Sequence, residues 1–232
     1  MSKIKWEENG ESFYENGVSA GVLYPMSDTA GVYAKGVAWN GLTGITESPE
    51  GAEPTALYAD NIKYLTLLSA EEFKATIETY TYPDEFAACD GSAELVASGG
   101  VYVGQQERKK FAFSYQTKIG NDNGEVGYKI HIVYGCLASP SERSNETIND
   151  SSEAMTMSWD VTADPVSVKG FKPTAHVVID STKVDSAKYK LLLIHFMVQI
   201  LKVNKKKELM QDFYYQMISL IFYTLNKKTK CL

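Results

Sequence analysis

Three histidines, three cysteines and the adjacent carboxylates Asp84 and Glu85 are the side chains to weigh first for chemistry in this 232-residue chain. His131 and His176 each stand alone inside an alternating apolar segment, and His195 lies in an apolar run near the C-terminus. None has a partner at metal-ligand spacing, so His131 and His176 read as satisfied or solvent-facing imidazoles. Cys89, Cys136 and Cys231 form neither a disulfide framework nor a ligand pattern, and read as small buried or half-buried side chains. Asp84 and Glu85 are neighbours and therefore diverge, so they make no acid–base pair. After Pro83 they suit the first turn of a helix, where the amide dipoles favour negative charge. No G-x-S-x-G and no phosphate loop occurs. Arg108-Lys109-Lys110 reads as a solvated strand entrance. Asn145-Glu146-Thr147 and Asn149-Asp150-Ser151 fit a glycosylation pattern that carries no weight without a secretory leader. The residue types thus predict no catalytic residue, no cofactor site, no metal ligand and no enzyme.

The elements that would position these side chains are short and alternating. Phe73 to Tyr82 puts Phe73, Ala75, Ile77 and Thr79 on one face and Lys74, Thr76, Glu78 and Tyr80 on the other, the pattern of a half-buried strand. Tyr82-Pro83 stops it, and Cys89-Asp90-Gly91 closes the block as a tight turn. Before it, Ala59-Asp60-Asn61 is a turn, Tyr64 to Leu68 is apolar, and Ser69 with Glu72 has capping-box spacing that predicts one helical turn. Phe13 to Leu23 alternates loosely, and Val32 to Ala38 is a second strand ending at the Asn40-Gly41 turn. Glu47 to Thr55 reads as an exposed loop, and Val101 to Val103 as a short strand. Lys110 to Ile119 and Tyr128 to Tyr134 form a hairpin about Asn121–Gly124, with Phe111, Phe113, Tyr115 and Thr117 on one face and Ile130, Ile132 and Tyr134 sharing a side. Leu137 to Asp150 reads as a polar loop with room for a short helix; Met155, Met157, Trp159 and Val161 alternate; Ala175 to Ile179 is a last strand. The sum is a mainly β chain folded as an antiparallel sandwich or barrel with one or two short helices.

Composition agrees. Fifteen tyrosines and seventeen glycines favour strands and turns, and the length is ample for a real core. Residues 1–10 are polar and mixed in charge, so synthesis in the cytoplasm is the default. The net charge is −6 overall, with residues 191–232 carrying seven Lys against two acidic groups, so the preceding body is strongly acidic. Such a body argues against nucleic-acid binding; on composition alone the acidity reads first as a means of staying soluble, and it would also suit a surface past which DNA slides without sticking.

The block Tyr58 to Leu95, together with Gly104-Gln105-Gln106, Ile119-Gly120-Asn121-Asp122, Tyr134-Gly135, Leu137 to Glu142 and Thr147-Ile148-Asn149-Asp150, resembles the major tail proteins of long-tailed phages and prophages of Gram-positive bacteria. The resemblance spans roughly residues 10–188 as separate islands in the family's order. It implies a tail-tube β-sandwich that assembles as hexameric rings and stacks into the tube of a siphophage virion tail. It further implies a tape-measure protein and tail-tip and terminator proteins as partners, and DNA passing through the lumen during ejection without specific binding. Glu47 to Thr55 and Leu137 to Asp150 are the loops expected to bridge subunits. No cofactor and no membrane enter this picture. Two other readings stay open: the tube of a contractile injection or type VI-like device, and a non-catalytic β-sandwich binding module.

From about Leu191 the texture changes to an apolar and basic run without glycine or proline. The family's usual ending, with a Tyr-Gly-Thr-Asp-like and then a Leu-Pro-Asp-Glu-like stretch, does not appear. A single shifted reading frame over Ile194–Asn204 and Glu208–Met217 can encode both. The expected organisation is therefore a tail-tube domain over 1–190 and, over 191–232, an atypical segment from out-of-frame translation, helical or disordered.

Overall fold

The computed structural model describes residues 12–184 apart from 28–30, 96–98, 142, 144, 146, 148–153 and 169. The domain limit at 190 and every expectation for residues 191–232 lie outside the described residues. Most of the described chain is antiparallel β-sheet, in the order β1 (Tyr14–Pro25), β2 (Val37–Trp39), β3 (Leu42–Glu47), β4 (Glu50–Gly51), β5 (Pro54–Ala59), β6 (Ile62–Leu68), β7 (Glu71–Thr79), β8 (Ala93–Glu94), β9 (Tyr102–Val103), β10 (Phe111–Asn121), β11 (Gly124–Pro140), β12 (Met157–Ala163) and β13 (His176–Asp180). Between β7 and β8, a 3-10 turn at Asp84–Phe86 runs into the one-turn helix α1, Ala87–Asp90, which ends at Gly91 in the left-handed conformation, φ 84°. The acidic first turn after Pro83 and the Gly91 stop are those the sequence indicated.

The main sheet has the order β2-β1-β10-β11-β12-β7-β3, with β13 also paired to β11 and β4 to β7. Strand β11 is the pivot, because its middle residues, Lys129 to Val133, pair with β13 and its last five residues pair with β12. The switch falls at Gly135, φ 63°, beside a register shift in the β10–β11 ladder. A side chain there would meet the Asp164 carbonyl oxygen at 2.8 Å. A bulge at a residue without Cβ is what lets one strand turn a corner and serve two halves of a sandwich.

Alternation on β1, β10 and β11 sends Leu23, Phe111, Phe113, Tyr115, Val133 and Cys136 into a main core shared with Trp39, Ile77, Phe86 and Trp159. The opposite faces of the same strands, with Val22, Tyr24, Ala112, Ile132 and Tyr134, form a second core with Ile179. Both faces of β10 are therefore buried. On β7 and β12 the other side faces solvent, as alternation predicts for a half-buried strand. Trp159 is fully buried among Trp39, Tyr82 and Phe86 in edge-to-face contacts, and its indole N–H donates to Asp90 Oδ1 at 2.6 Å. That bond is what makes a buried indole tolerable.

Four local expectations need correction. Val32 to Ala38 is a strand only at Val37–Trp39; upstream there is one bridge, Met26 to Tyr33. Ser69–Glu72 is not a helical turn: Glu71 and Glu72 pair with Gly51 and Glu50, and the Ser69 hydroxyl accepts from the Glu53 N–H, so ladder pairing outweighs the capping pattern. Glu47 to Thr55 is exposed, yet it contains β4 and the start of β5 rather than being loop throughout. Leu137 to Pro140 is strand, the end of β11, because β12 offers it a partner.

Candidate functional site

Two features stand out against this scaffold. One is a polar cluster at the rim of the main core, where Glu47 ends β3 and meets β1, β10, β11 and β13. His131 faces Val178 in the β11–β13 ladder and His176 faces Val133, so the two histidines are diagonal neighbours on one face. His131 Nδ1 lies 3.2 Å from His176 Nε2 and 3.4 Å from Glu47 Oε1. Its Nε2 lies 3.2 Å from the Thr117 hydroxyl and 3.5 Å from Glu15 Oε1. The Tyr115 hydroxyl donates to Glu47, and its ring stacks on His131 with centroids 4.6 Å apart. Thr117 and Lys129 donate to Glu15. The expectation of isolated histidines is thus corrected: 45 residues of sequence separate them, and only the β11–β13 pairing brings them together.

The electrostatics follow from these contacts. The His131 hydrogen bond, opposed by partial burial and helped by Tyr115 and His176, holds the Glu47 carboxyl down at about 2. Burial raises the Tyr115 hydroxyl, and its bond to the Glu47 carboxylate raises it further. Burial lowers His176, with Glu47 opposing and His131 adding to the shift. Burial pushes Glu15 up, but its Lys129 and Thr117 bonds prevail and leave it lowered.

The second feature is an arm. Among the described residues, strands β5 and β6 pair only with each other and continue outward from the β4–β7 pair. Asp60 and Asn61, at φ 51° and 62°, make the reversal at its tip, a conformation that Asp and Asn tolerate best after glycine. Leu57 pairs with Leu65, and the register puts Leu57, Ile62, Leu65 and Leu67 on one face and Tyr58 and Leu68 on the other, with Tyr64 the extra residue at a bulge. All are exposed, Tyr64 at 70% and Leu68 at 72%.

The remaining candidate residues are not brought together. Cys89 and Cys136 are buried and unpaired, and burial raises both thiols, Cys89 to about 12, which leaves them unreactive. Asp84 and Glu85 stay on the 3-10 turn. Arg108 donates to the Asp90 carbonyl and Lys110 pairs with Asp164, so the basic run is tied to the body. Arg143, in the expected 137–150 loop, lies over the Trp159 ring at 5.6 Å and 3.8 Å from Asp90. His195 and Cys231 lie outside the described residues. Among the described residues, no helix is long and apolar enough to cross a membrane.

No family model and no curated protein matches the chain. Among solved structures it is similar to a chain of the anti-feeding prophage baseplate, a six-fold symmetrised cryo-EM structure, at 10% identity and TM-score 0.34, over 79% of this chain and 100% of that one. It is also similar to a chain of the PVC sheath–tube complex of an extracellular contractile injection system in the extended state. There the identity is 12% and the TM-score 0.28, over 69% of this chain and 88% of that one.

Proposed function

We propose that this protein is a non-catalytic structural subunit of a phage-tail-type assembly, built into the tail tube of a long-tailed phage as stacked hexameric rings. The observation that carries the reading is the β5–β6 arm. A two-stranded hairpin alone is marginal in water, and this one exposes Leu57, Ile62, Leu65 and Leu67 on one face and Tyr58 and Leu68 on the other and, among the described residues, pairs with no other strand. Apolar surface of this kind, rimmed by polar residues, is the mark of a surface made to be covered. The occupant is the next copy of the same chain. Ring closure also protects the edges of the main sheet, where β2 is only three residues long and β13 exposes Val178. The acidic charge of the subunit disfavours adhesion of DNA, which passes through the lumen without specific contacts. The tape-measure, tip and terminator proteins are the remaining partners, and the virion tail is the location.

Negative-stain electron microscopy of the concentrated full chain tests this, alongside a variant carrying Tyr64→Ser and Leu67→Ser. Rings or uniform tubes are expected from the parent chain. The variant is expected to stay monomeric with an unchanged unfolding midpoint, since both positions are exposed. Assembly that survives in the variant would remove the arm from the argument, and monomers from both chains would count against the tube.

A further inference from the structure

We infer that Glu47, His131 and His176 form a binding site for a divalent first-row transition ion, with zinc(II) the representative. One ligand atom from each residue lies within 4.8 Å of the other two. His131 Nδ1 is 3.2 Å from His176 Nε2 and 3.4 Å from Glu47 Oε1. Two ligands each about 2.1 Å from a tetrahedral ion are themselves about 3.4 Å apart, so the two edges from His131 match, and the third, between His176 and Glu47, lies within 4.8 Å. Two imidazoles and one carboxylate suit zinc, nickel, copper or iron(II), whereas calcium and magnesium require mostly oxygen.

A wider polar network surrounds the three residues. An ionised carboxylate only accepts, so the Thr117 hydroxyl donates to Glu15. The outer bonds are those that orient ligands in metal sites: His131 through Thr117 to Glu15, and Tyr115 to Glu47. Solvent reaches the cluster past Glu47, whose side chain is 35% exposed. An ion there would tie the end of β3 to β11 and β13, fastening two ends of the sandwich. The inference rests on this cluster alone and is independent of the tube.

The test uses the full chain, stripped with a chelator, then titrated with zinc sulfate by calorimetry and followed by thermal unfolding. One zinc per chain is expected, with the unfolding midpoint rising by about 5 °C or more at about one hundred times Kd. His176→Gln and Glu47→Gln are each expected to weaken binding by more than about tenfold, whereas a chain carrying His195→Asn and Cys231→Ser binds as the parent does. Both single variants sit at partly exposed positions, and their metal-free unfolding midpoints report whether they fold. Cobalt(II) gives a second readout through its visible bands, which are weak for the hexaaqua ion and intensify when imidazole and carboxylate ligands replace water in a four-coordinate site. Zinc that leaves the midpoint unmoved, or that binds His176→Gln as well as the parent, overturns the inference. So does a midpoint that responds to pH but not to zinc, since the cluster would then hold a shared proton.

Discussion

Glu47 is the residue on which most of the polar chemistry turns. It accepts from Tyr115, faces both histidines, and is held at about 2 against an ordinary value of 4.5. A carboxyl lowered in the folded state contributes stability that is full above the unfolded value and is lost as pH falls toward the folded one. His176 acts in the same direction. Burial favours its neutral form, so the unfolded chain takes up its proton first, and stability declines as pH drops below 6.5. The metal-free protein is therefore expected to lose stability in two stages on acidification, first below about 6.5 and then between about 4.5 and 2. Denaturant midpoints measured across that range check this: His176→Gln should flatten the first stage and Glu47→Gln the second. Because Glu47 is partly exposed, solvent screening keeps the second stage small.

At the scale of elements, the corner in β11 decides the sandwich. Gly135 combines a positive φ with a Cβ position only 2.8 Å from the Asp164 carbonyl oxygen. Gly135→Ala is expected to cost about 1–3 kcal/mol from backbone strain alone, before any movement of the β12–β13 connection. Gly104→Ala is the control, because nothing lies within 4 Å of its Cβ position and its φ is not positive. That change should stay within about 0.5 kcal/mol. Thermal unfolding of the two variants separates the cases, since each kcal/mol moves the midpoint by about 2–4 °C in a domain of this size. Equal midpoints would mean that β11 can turn without its glycine.

For the whole molecule, the proposed assembly has to work against charge. A chain of net charge −6 repels its copies, and in that proposal the apolar arm supplies the attraction. The Debye length falls from about 30 Å at 0.01 M salt to about 8 Å at 0.15 M, so added salt weakens the repulsion and leaves the apolar contact intact. Sedimentation velocity of the full chain is expected to show larger assemblies at the higher salt. Assemblies that dissolve as salt rises would instead place ion pairs, not the arm, at the interface.

The sequence by itself determined the class of fold and most of the strands, because period-two alternation and turn residues act locally. Phe73 to Thr79, Phe111 to Tyr115 and Met157 to Val161 face the core as their spacing indicates, whereas Thr117 is half-buried at the polar cluster and Met155 is exposed ahead of β12. The loose alternation of Phe13 to Leu23 has its cause in two register shifts of β1 against β10, with Gly17 and Ala20 at positive φ. Tertiary structure alone decided which strand lies beside which. Val32 to Ala38 reads as a strand ending at the Asn40-Gly41 turn, yet β2 pairs with β1 while β3, beyond that turn, crosses to β7. Ser69–Glu72 has the spacing of a helix cap, but β4 gives it ladder partners. The His131–His176–Glu47 cluster was invisible for the same reason. Its members come from three strands far apart in the chain, and only long-range pairing sets them on one face. Local spacing carries information about a residue's own element, whereas a site built across a sheet exists only once the register between strands is fixed.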